Sequence, residues 1–322
     1  MYIYINMKIK YGISNTWIDV TDICLKKLCK NDIITIPSRG KNGFFTDPLD
    51  RIRKKVFVFI ENKIFEYDEL DLIQIFLKTN EIFVNDEIFV KTPDIIDSIN
   101  SIKQLKTKNY PSNSKNLVLI TSVINTINKP LSYYSFRSFY TKNQRFKQTL
   151  KSIESIRKYI PNSYIYLIEC SDNIDEEEEI FKELVDTYVN CFDIDNVRNA
   201  IQSPNKGIGE MNFLLYFLNN FEKLNEFDHF FKLSGRYYLN DTFDFDKFKN
   251  NVNIFKKEHH SLVTIFYKIC KDFYKSFIEI INNNINNTSS VEGIFNGYIH
   301  NYKNIDHLGV EGQMFNGSFT TR

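Results

Sequence analysis

Short motifs in this chain name little chemistry by themselves, so the candidates are individual side chains whose type and place fit a task. Lys206-Gly207 sets an ammonium in a turn, yet it lacks the GxxxxGK[ST] spacing of a phosphate-cradling loop, and an ATPase reading fails. Five cysteines (Cys24, Cys29, Cys170, Cys191, Cys270) form no CxxC pair and have no histidine at zinc spacing, which favours reduced thiols in a cytosol-like compartment. Ser234-Gly235-Arg236-Tyr237 admits two readings on its residues alone: Arg236 ends a strand structurally or clamps a phosphate. Ser289-Ser290-Val291-Glu292 fits a Ser-x-x-Glu capping box. His259-His260 reads as an exposed pair, and His300 and His307 as packing or capping groups.

The elements that must position these groups fall into two regions. At roughly 150 residues per domain, 322 residues suggest two domains. The polar stretch 100–116, NSIKQLKTKNYPSNSKN, reads as a linker between a region 1–99 and a region 117–322. Before it, IITIP, KVFVFIEN, KIFEYDE and EIFVNDEIFV read as strands of a small β-rich module, with hairpin turns at Asn62-Lys63 and Asn85-Asp86. After it, strand and helix patterns alternate, which argues for an α/β sheet. LVLITSVI is a continuous apolar run of the kind a buried parallel strand shows. Phe146, Leu150, Ile153, Ile156 and Ile160 form one helical face, stopped by Pro161. YIYLIECS is a second strand, a helix opens on Glu176–Glu179, and VNCFDI is a short third strand. SPNKGIG then makes a turn before the apolar helix EMNFLLYFLNNF, and DHFFKL leads into SGRYYL as the fourth strand.

Composition excludes several classes. Apolar residues make up 43% and aromatics 15%, enough for a sizeable core. Lys and Arg number 41 against 40 Asp and Glu, spread evenly, so neither a nucleic acid nor a membrane surface is the expected partner. No apolar run is long enough for a membrane span, and the start lacks a secretory leader's pattern, so a cytoplasmic location is expected. Alanine occurs once, at Ala200, amid abundant Asn, Ile, Lys, Phe and Tyr, as AT-rich coding produces; the sequons at Asn240, Asn286, Asn287 and Asn316 read as chance.

In an open parallel sheet, ligands bind at the carboxyl ends of the strands. That rule selects Thr121–Asn125, Glu169–Asp172, the Lys206 turn and Ser234–Tyr237, with Arg145, Gln148 and Thr149 in the first turns of the following helix. Glu169 and Ser171 either cap their turn or recognise a nucleotide's base or ribose; Arg145 is either a solvated helix-face charge or part of the site.

The ordered set LITSVI, RFKQTLKSIESIRKYIPNSYIYLIECSD, NKGIGE, HFFKLSGRYYL and LGVEG resembles GT-A-type glycosyltransferases, more narrowly those of large DNA viruses and bacterial surface-polysaccharide clusters. YGISNTWIDVTDIC with FFTDPLDRIRKKVFVF resembles a small β-sandwich accessory module. The resemblance implies an α/β fold, GT-A-like (Rossmann-like), with a mostly parallel sheet flanked by helices and preceded by a small β-rich domain. It implies a nucleotide-sugar donor, a glycan or glycoprotein acceptor, and a site holding Thr121, Arg145, Glu169, Ser171, Lys206, Ser234, Gly235 and Arg236. Such enzymes usually end the fourth strand in Asp-x-Asp, which holds a divalent cation (Mn or Mg) on the diphosphate. Here Ser234-Gly235-Arg236 stands in that place. Arg236 offers a planar fork of donors matched to phosphate, Gly235 lets the backbone approach, and Arg145 and Lys206 add positive charge, so the resemblance points to metal-independent transfer. Asp193-Ile-Asp195 and Asp244-Phe-Asp246 match the pattern elsewhere, as chance allows among forty carboxylates. An inverting transferase also needs a base for the acceptor hydroxyl, and the candidates are Glu292 and Glu311, the latter read in the Gly-flanked turn LGVEG. The alternative is a non-catalytic glycan-binding or virion-associated protein on the same fold. A nucleotidyltransferase would carry a Gly-rich loop after the first strand, where this chain reads TSVINTINKPLS.

Overall fold

The computed structural model describes residues 7–13, 16–38, 40–46, 48, 52–60, 63–69, 71–77, 82–84, 93–107, 115–127, 129–133, 137, 138, 140–287, 289–313 and 319–321. The chain divides into two compact units, 1–88 and 89–322.

In the first unit, Met7–Ile13, Thr16–Asp19, Lys55–Ile60 and Lys63–Asp68 form one antiparallel sheet. Cys29–Lys30, Ile33–Ile36, Ile73–Phe76 and Ile82–Val84 form another. Val56, Val58 and Ile60 alternate with more exposed neighbours, the period-two pattern of a half-buried strand. They share a core with Ile9, Tyr11, Ile34, Ile36, Ile73 and Ile75. Lys41 is buried at its edge and donates to the carbonyls of Glu69 and Asp71 at 2.6 and 2.7 Å. Burial lowers its pKa to about 8. The expected hairpin turns at 62 and at 85–86 lie outside the described residues.

The second unit opens with α1 (Pro93–Lys106). Where the sequence reads a polar linker over 100–116, the chain is helical as far as Lys106. The reason is a sparse apolar stripe among polar residues: Ile95, Ile99 and Ile102 are buried in the core of this unit. Residues 108–114 lie outside the described set. Then follow β1 (Asn116–Thr121), α2 (Lys142–Tyr159), β2 (Ser163–Glu169), α3 (Asp175–Leu184), β3 (Thr187–Asn190), α4 (Asp195–Ile201), α5 (Lys206–Asn220) and β4 (His229–Ser234). After β5 (Tyr237–Leu239) come β6 (Ile254–Phe255), β7 (Phe266–Cys270), α6 (Tyr274–Asn284), α7 (Val291–Tyr298), β8 (Lys303–Asn304), β9 (Val310–Gln313) and β10 (Phe319–Thr321).

The central seven-stranded sheet runs β3-β2-β1-β4-β7-β6-β8. β3, β2, β1 and β4 are parallel; β7 is antiparallel to β4 and β6; β8 is parallel to β6. The architecture is therefore mixed α/β, with a mostly parallel sheet flanked by helices. β1 is buried on both faces, which explains its unbroken apolar run. On α2, Phe146, Leu150, Ile153 and Ile156 are buried as the spacing predicts, and Thr141 with Gln144 closes the helix start in a capping box. Ser152 Oγ donates to the Tyr237 carbonyl at 2.6 Å, and Leu239 N donates to Ser155 Oγ at 3.0 Å, so α2 holds β5 in place. Chain order reverses between β1 and β4. A crevice opens at such a switch point, beyond the carboxyl ends of the strands. All five cysteines are free thiols.

Candidate functional site

Two cavities adjoin at this switch point. The first is walled by Thr121, Ser122 and Val123 at the end of β1, Ser234, Gly235 and Arg236 at the end of β4, and Lys206, Gly209 and Glu210 on α5. Gly235 N donates to the Thr121 carbonyl at 2.9 Å. A Cβ on Gly235 would sit 3.2 Å from both that carbonyl oxygen and Ser122 Cβ, so a larger residue there would press the two strand ends apart by a few tenths of an ångström.

Arg137, Arg145, Lys206 and Arg236 all face this cavity. Arg145 is fixed by donating from Nε to the Val123 carbonyl and from Nη1 to Ser138 Oγ at 3.2 Å. Arg137 closes the end of α4, donating to the carbonyls of Ile201 at 2.8 Å, Gln202 at 3.0 Å and Ser203. Nη1 of Arg236 is buried and donates to no partner among the described residues. Burial, together with repulsion from Arg236, Arg145 and Arg137, lowers the Lys206 pKa to about 6. Burial and the nearby Arg236 lower that of Arg145 to about 9. Three guanidinium groups crowded around a lysine that they push toward neutrality cost free energy that a polyanion would recover. The lining of the first cavity is chemically suited to an anion.

The second cavity, of about 720 Å³, shares Lys206, Glu210, Ser234 and Arg236 with the first. It is also lined by Tyr133, Thr264, Glu258 and Glu292. The capping box read at Ser289–Glu292 does not form. Ser290 is the cap of α7, its Oγ accepting from Gly293 N at 3.1 Å, which shifts the frame by one residue. Glu292 is thereby released from capping, and its Oε1 instead accepts from Thr264 Oγ1 at 2.9 Å. Burial and the Glu292 charge raise the Tyr133 pKa, so its phenol stays protonated beside the carboxylate.

Of the residues singled out in the sequence, Thr121, Arg145, Lys206, Ser234, Gly235, Arg236 and Glu292 line one or both cavities. Lys206 is the first residue of α5, not part of a turn, because Asn205 Oδ1 accepts from Gly207 N at 2.9 Å and starts the helix there. Glu169 and Ser171 line neither cavity. Glu169 is fully buried, and its Oε1 accepts from Ile124 N at 3.0 Å, Cys170 N at 2.9 Å and Ser171 Oγ at 2.6 Å. Ser171 Oγ in turn accepts from Asn125 N at 2.9 Å. These two residues hold the loop after β1 from behind. Glu311 also stays outside the cavities: it lies in β9 rather than a turn, opposite Tyr238, with Oε2 accepting from Asn240 Nδ2 at 3.3 Å.

Sequence reasoning passed over Arg137, Glu210 and Lys232. Lys232 is fully buried on β4 and ion-pairs with Glu210 of α5. A lysine inside the apolar run HFFKLS was the available signal, since an unpaired charge is not tolerated there. The Asp-x-Asp matches are occupied otherwise. Asp195 pairs with Arg198, and Asp244 Oδ1 accepts from Asp246 N at 3.0 Å. Among the described residues no three His, Cys, Asp or Glu side chains gather as a metal site. Ser234-Gly235-Arg236 brings a hydroxyl and a guanidinium, a donor set unsuited to a divalent cation.

No family model matches the chain, and no curated protein matches it. Among solved structures it is similar to a cytidylyltransferase from Leptospira borgpetersenii serovar Hardjo-bovis (strain JB197), with a TM-score of 0.30 and 11% identity, over 55% of this chain and 73% of that one. A likeness of that size says nothing about activity. No helix among the described residues is long and apolar enough to cross a membrane.

Proposed function

We propose that the second unit is a GT-A-type glycosyltransferase that moves a sugar from a nucleotide-sugar donor to a glycan or glycoprotein hydroxyl. The single observation that carries this reading is the shared wall. Lys206 and Arg236 border both the cationic first cavity and the larger second one, which Glu292 also lines. A donor spanning that wall places its diphosphate among Arg137, Arg145, Lys206 and Arg236 and its sugar in the second cavity. The reversed strand order beside β1, within a mostly parallel sheet, supports the same assignment.

The acceptor hydroxyl attacks the anomeric carbon while the bond from that carbon to the diphosphate oxygen breaks. Glu292 takes the hydroxyl proton, and the electron pair leaves with the diphosphate. The charge that develops on the leaving oxygen is met by guanidinium and ammonium groups already in place, so little reorganisation is needed at that moment. The donor set at Ser234–Arg236 does not suit a cation, and no step runs through one. The antiparallel first unit is proposed as an accessory module.

Isothermal titration of the full chain with UDP-, GDP-, dTDP- and CMP-sugars, with and without manganese, tests the reading. One nucleotide class is expected to bind without added metal and to release its sugar to a glycan acceptor on incubation. Absence of binding by every class, with and without metal, overturns it.

A further inference from the structure

Glu210 is out of place in an anion site. It is a carboxylate in the wall of both cavities, among the cations that would hold a diphosphate. A bare carboxylate there would repel phosphate oxygens. It is not bare, because Oε1 accepts from the ammonium of Lys232, which is fully buried. An ammonium has three donors. The other two of Lys232 go to Ser234 Oγ at 2.8 Å and the Thr264 carbonyl at 3.0 Å, so every donor is engaged. The pair is neutral as a unit, and it ties α5, the end of β4 and the strand-flanking residue Thr264 into one rigid corner.

Stability alone does not call for this arrangement. Replacing a buried ion pair by apolar side chains is often neutral or favourable. What the pair supplies instead is a fixed, strong acceptor: Glu210 Oε2 takes no hydrogen bond among the described residues, and the side chain is 24% exposed. The groups around it on the cavity wall, Lys206, Arg236 and Ser234, are donors. A ligand that satisfies Glu210 must therefore bring O–H or N–H groups rather than further negative charge.

We infer that Glu210, held by Lys232, reads a hydroxyl of the transferred sugar and so sets donor specificity. The inference rests on the glycosyltransferase reading, since it places the sugar at the shared wall next to the diphosphate. Glu210 then selects a sugar with a free hydroxyl at the position facing α5 and rejects the sugar deoxygenated there, because rejection leaves a desolvated carboxylate oxygen unpaired.

The test compares each nucleotide-sugar with its own nucleotide by isothermal titration: UDP-glucose and UDP-galactose against UDP, GDP-mannose against GDP, dTDP-glucose against dTDP. For the class that binds, the sugar form should bind about 10-fold or more tightly than the nucleotide. Glu210→Gln should reduce that ratio to near one, with the nucleotide alone bound at least as tightly as by the wild type because a negative charge beside the diphosphate is removed. If Glu210→Gln fails to fold, the double variant Glu210→Gln with Lys232→Met, which removes both charges together, takes its place with the same expectation. The 4-deoxy, 3-deoxy and 2-deoxy forms of the bound donor should lose the advantage at one position in the wild type and show no further loss in Glu210→Gln. A ratio that survives in the variant overturns the inference, as does a wild-type ratio of one, and both leave the nucleotide site standing. Failure of every nucleotide to bind overturns this inference and the underlying reading together.

Discussion

Glu292 and Thr264 are joined on the wall of the second cavity by a 2.9 Å hydrogen bond in which the hydroxyl donates and the carboxylate accepts. The bond occupies Oε1 and fixes the rotamer, which leaves the other carboxylate oxygen to take a proton from an acceptor hydroxyl. Glu292→Gln keeps the shape and the Thr264 contact but cannot act as a base. Transfer should fall by about 100- to 10,000-fold, the usual contribution of a positioned base, with the nucleotide-sugar Kd unchanged. Turnover assays with radiolabelled donor, paired with titration calorimetry, read both quantities. An unchanged rate assigns the proton transfer elsewhere.

Arg236 brings a buried Nη1 with no partner to the wall of the first cavity. A desolvated, unsatisfied guanidinium N–H costs free energy until an acceptor arrives, and a phosphate oxygen is the best available. Arg236→Ala should weaken nucleotide binding by about 10- to 100-fold. Arg236→Lys should recover little of this, since an ammonium cannot reproduce the planar fork. Full rescue by lysine would show that only charge matters at this position.

The contrast between these residues and the buried pair behind them shows what a sequence can display. The α2 face from Phe146 to Ile156 and the continuous run of β1 were legible because burial imposes its period directly on neighbouring residues. Thr121, Ser234 and Arg236 were legible one step later, because they follow from strand ends in a parallel sheet. The Lys232–Glu210 pair was not, since its partners are 22 positions apart on elements with separate periodicities. Arg137 sits in a loop with no period at all and acts by closing α4. Glu311 was misplaced because pairing of β9 with β5 joins residues more than seventy apart, which no local pattern announces. The one-residue slip at Ser289–Ser290 has a simpler cause: two adjacent serines offer equally good caps on their residue type, and Ser290 takes the position.

Lys206 gives the site a pH signature. Its pKa is lowered to about 6 by burial and by three nearby guanidinium groups, so above that pH the unliganded side chain is mainly neutral. A bound diphosphate reverses the local potential and raises the pKa, so binding near pH 7.5 takes up a proton. Affinity should thus be greatest below about pH 6 and fall as pH rises, until the pKa of the complex is passed. Calorimetry in buffers of different ionisation enthalpy measures the uptake, up to one proton per nucleotide bound. Lys206→Met should abolish it. Equal uptake in that variant would place the titrating group elsewhere.

Glu169 separates support of the site from its chemistry. Burial raises its pKa, opposed by hydrogen bonds from Ser171, Ser122 and the backbone of Cys170 and Ile124. A carboxyl whose folded pKa lies above the unfolded value stabilises most below the unfolded pKa, and that contribution is lost as pH rises through the folded one. Glu169→Gln retains an acceptor oxygen for Ile124 N, Cys170 N and Ser171 Oγ while removing the charge that burial penalises. It should match or exceed the wild type in urea unfolding at pH 7.5, and its advantage should shrink toward pH 4. Glu169→Ala leaves those three donors buried and unpaired and should cost at least about 3 kcal/mol at either pH. Because the Ser122–Asn125 loop forms a wall of the first cavity, nucleotide affinity should follow stability in the alanine variant and remain at the wild-type level in the glutamine variant. Loss of nucleotide binding in a stable Glu169→Gln protein would instead assign the carboxylate charge a direct part in recognition.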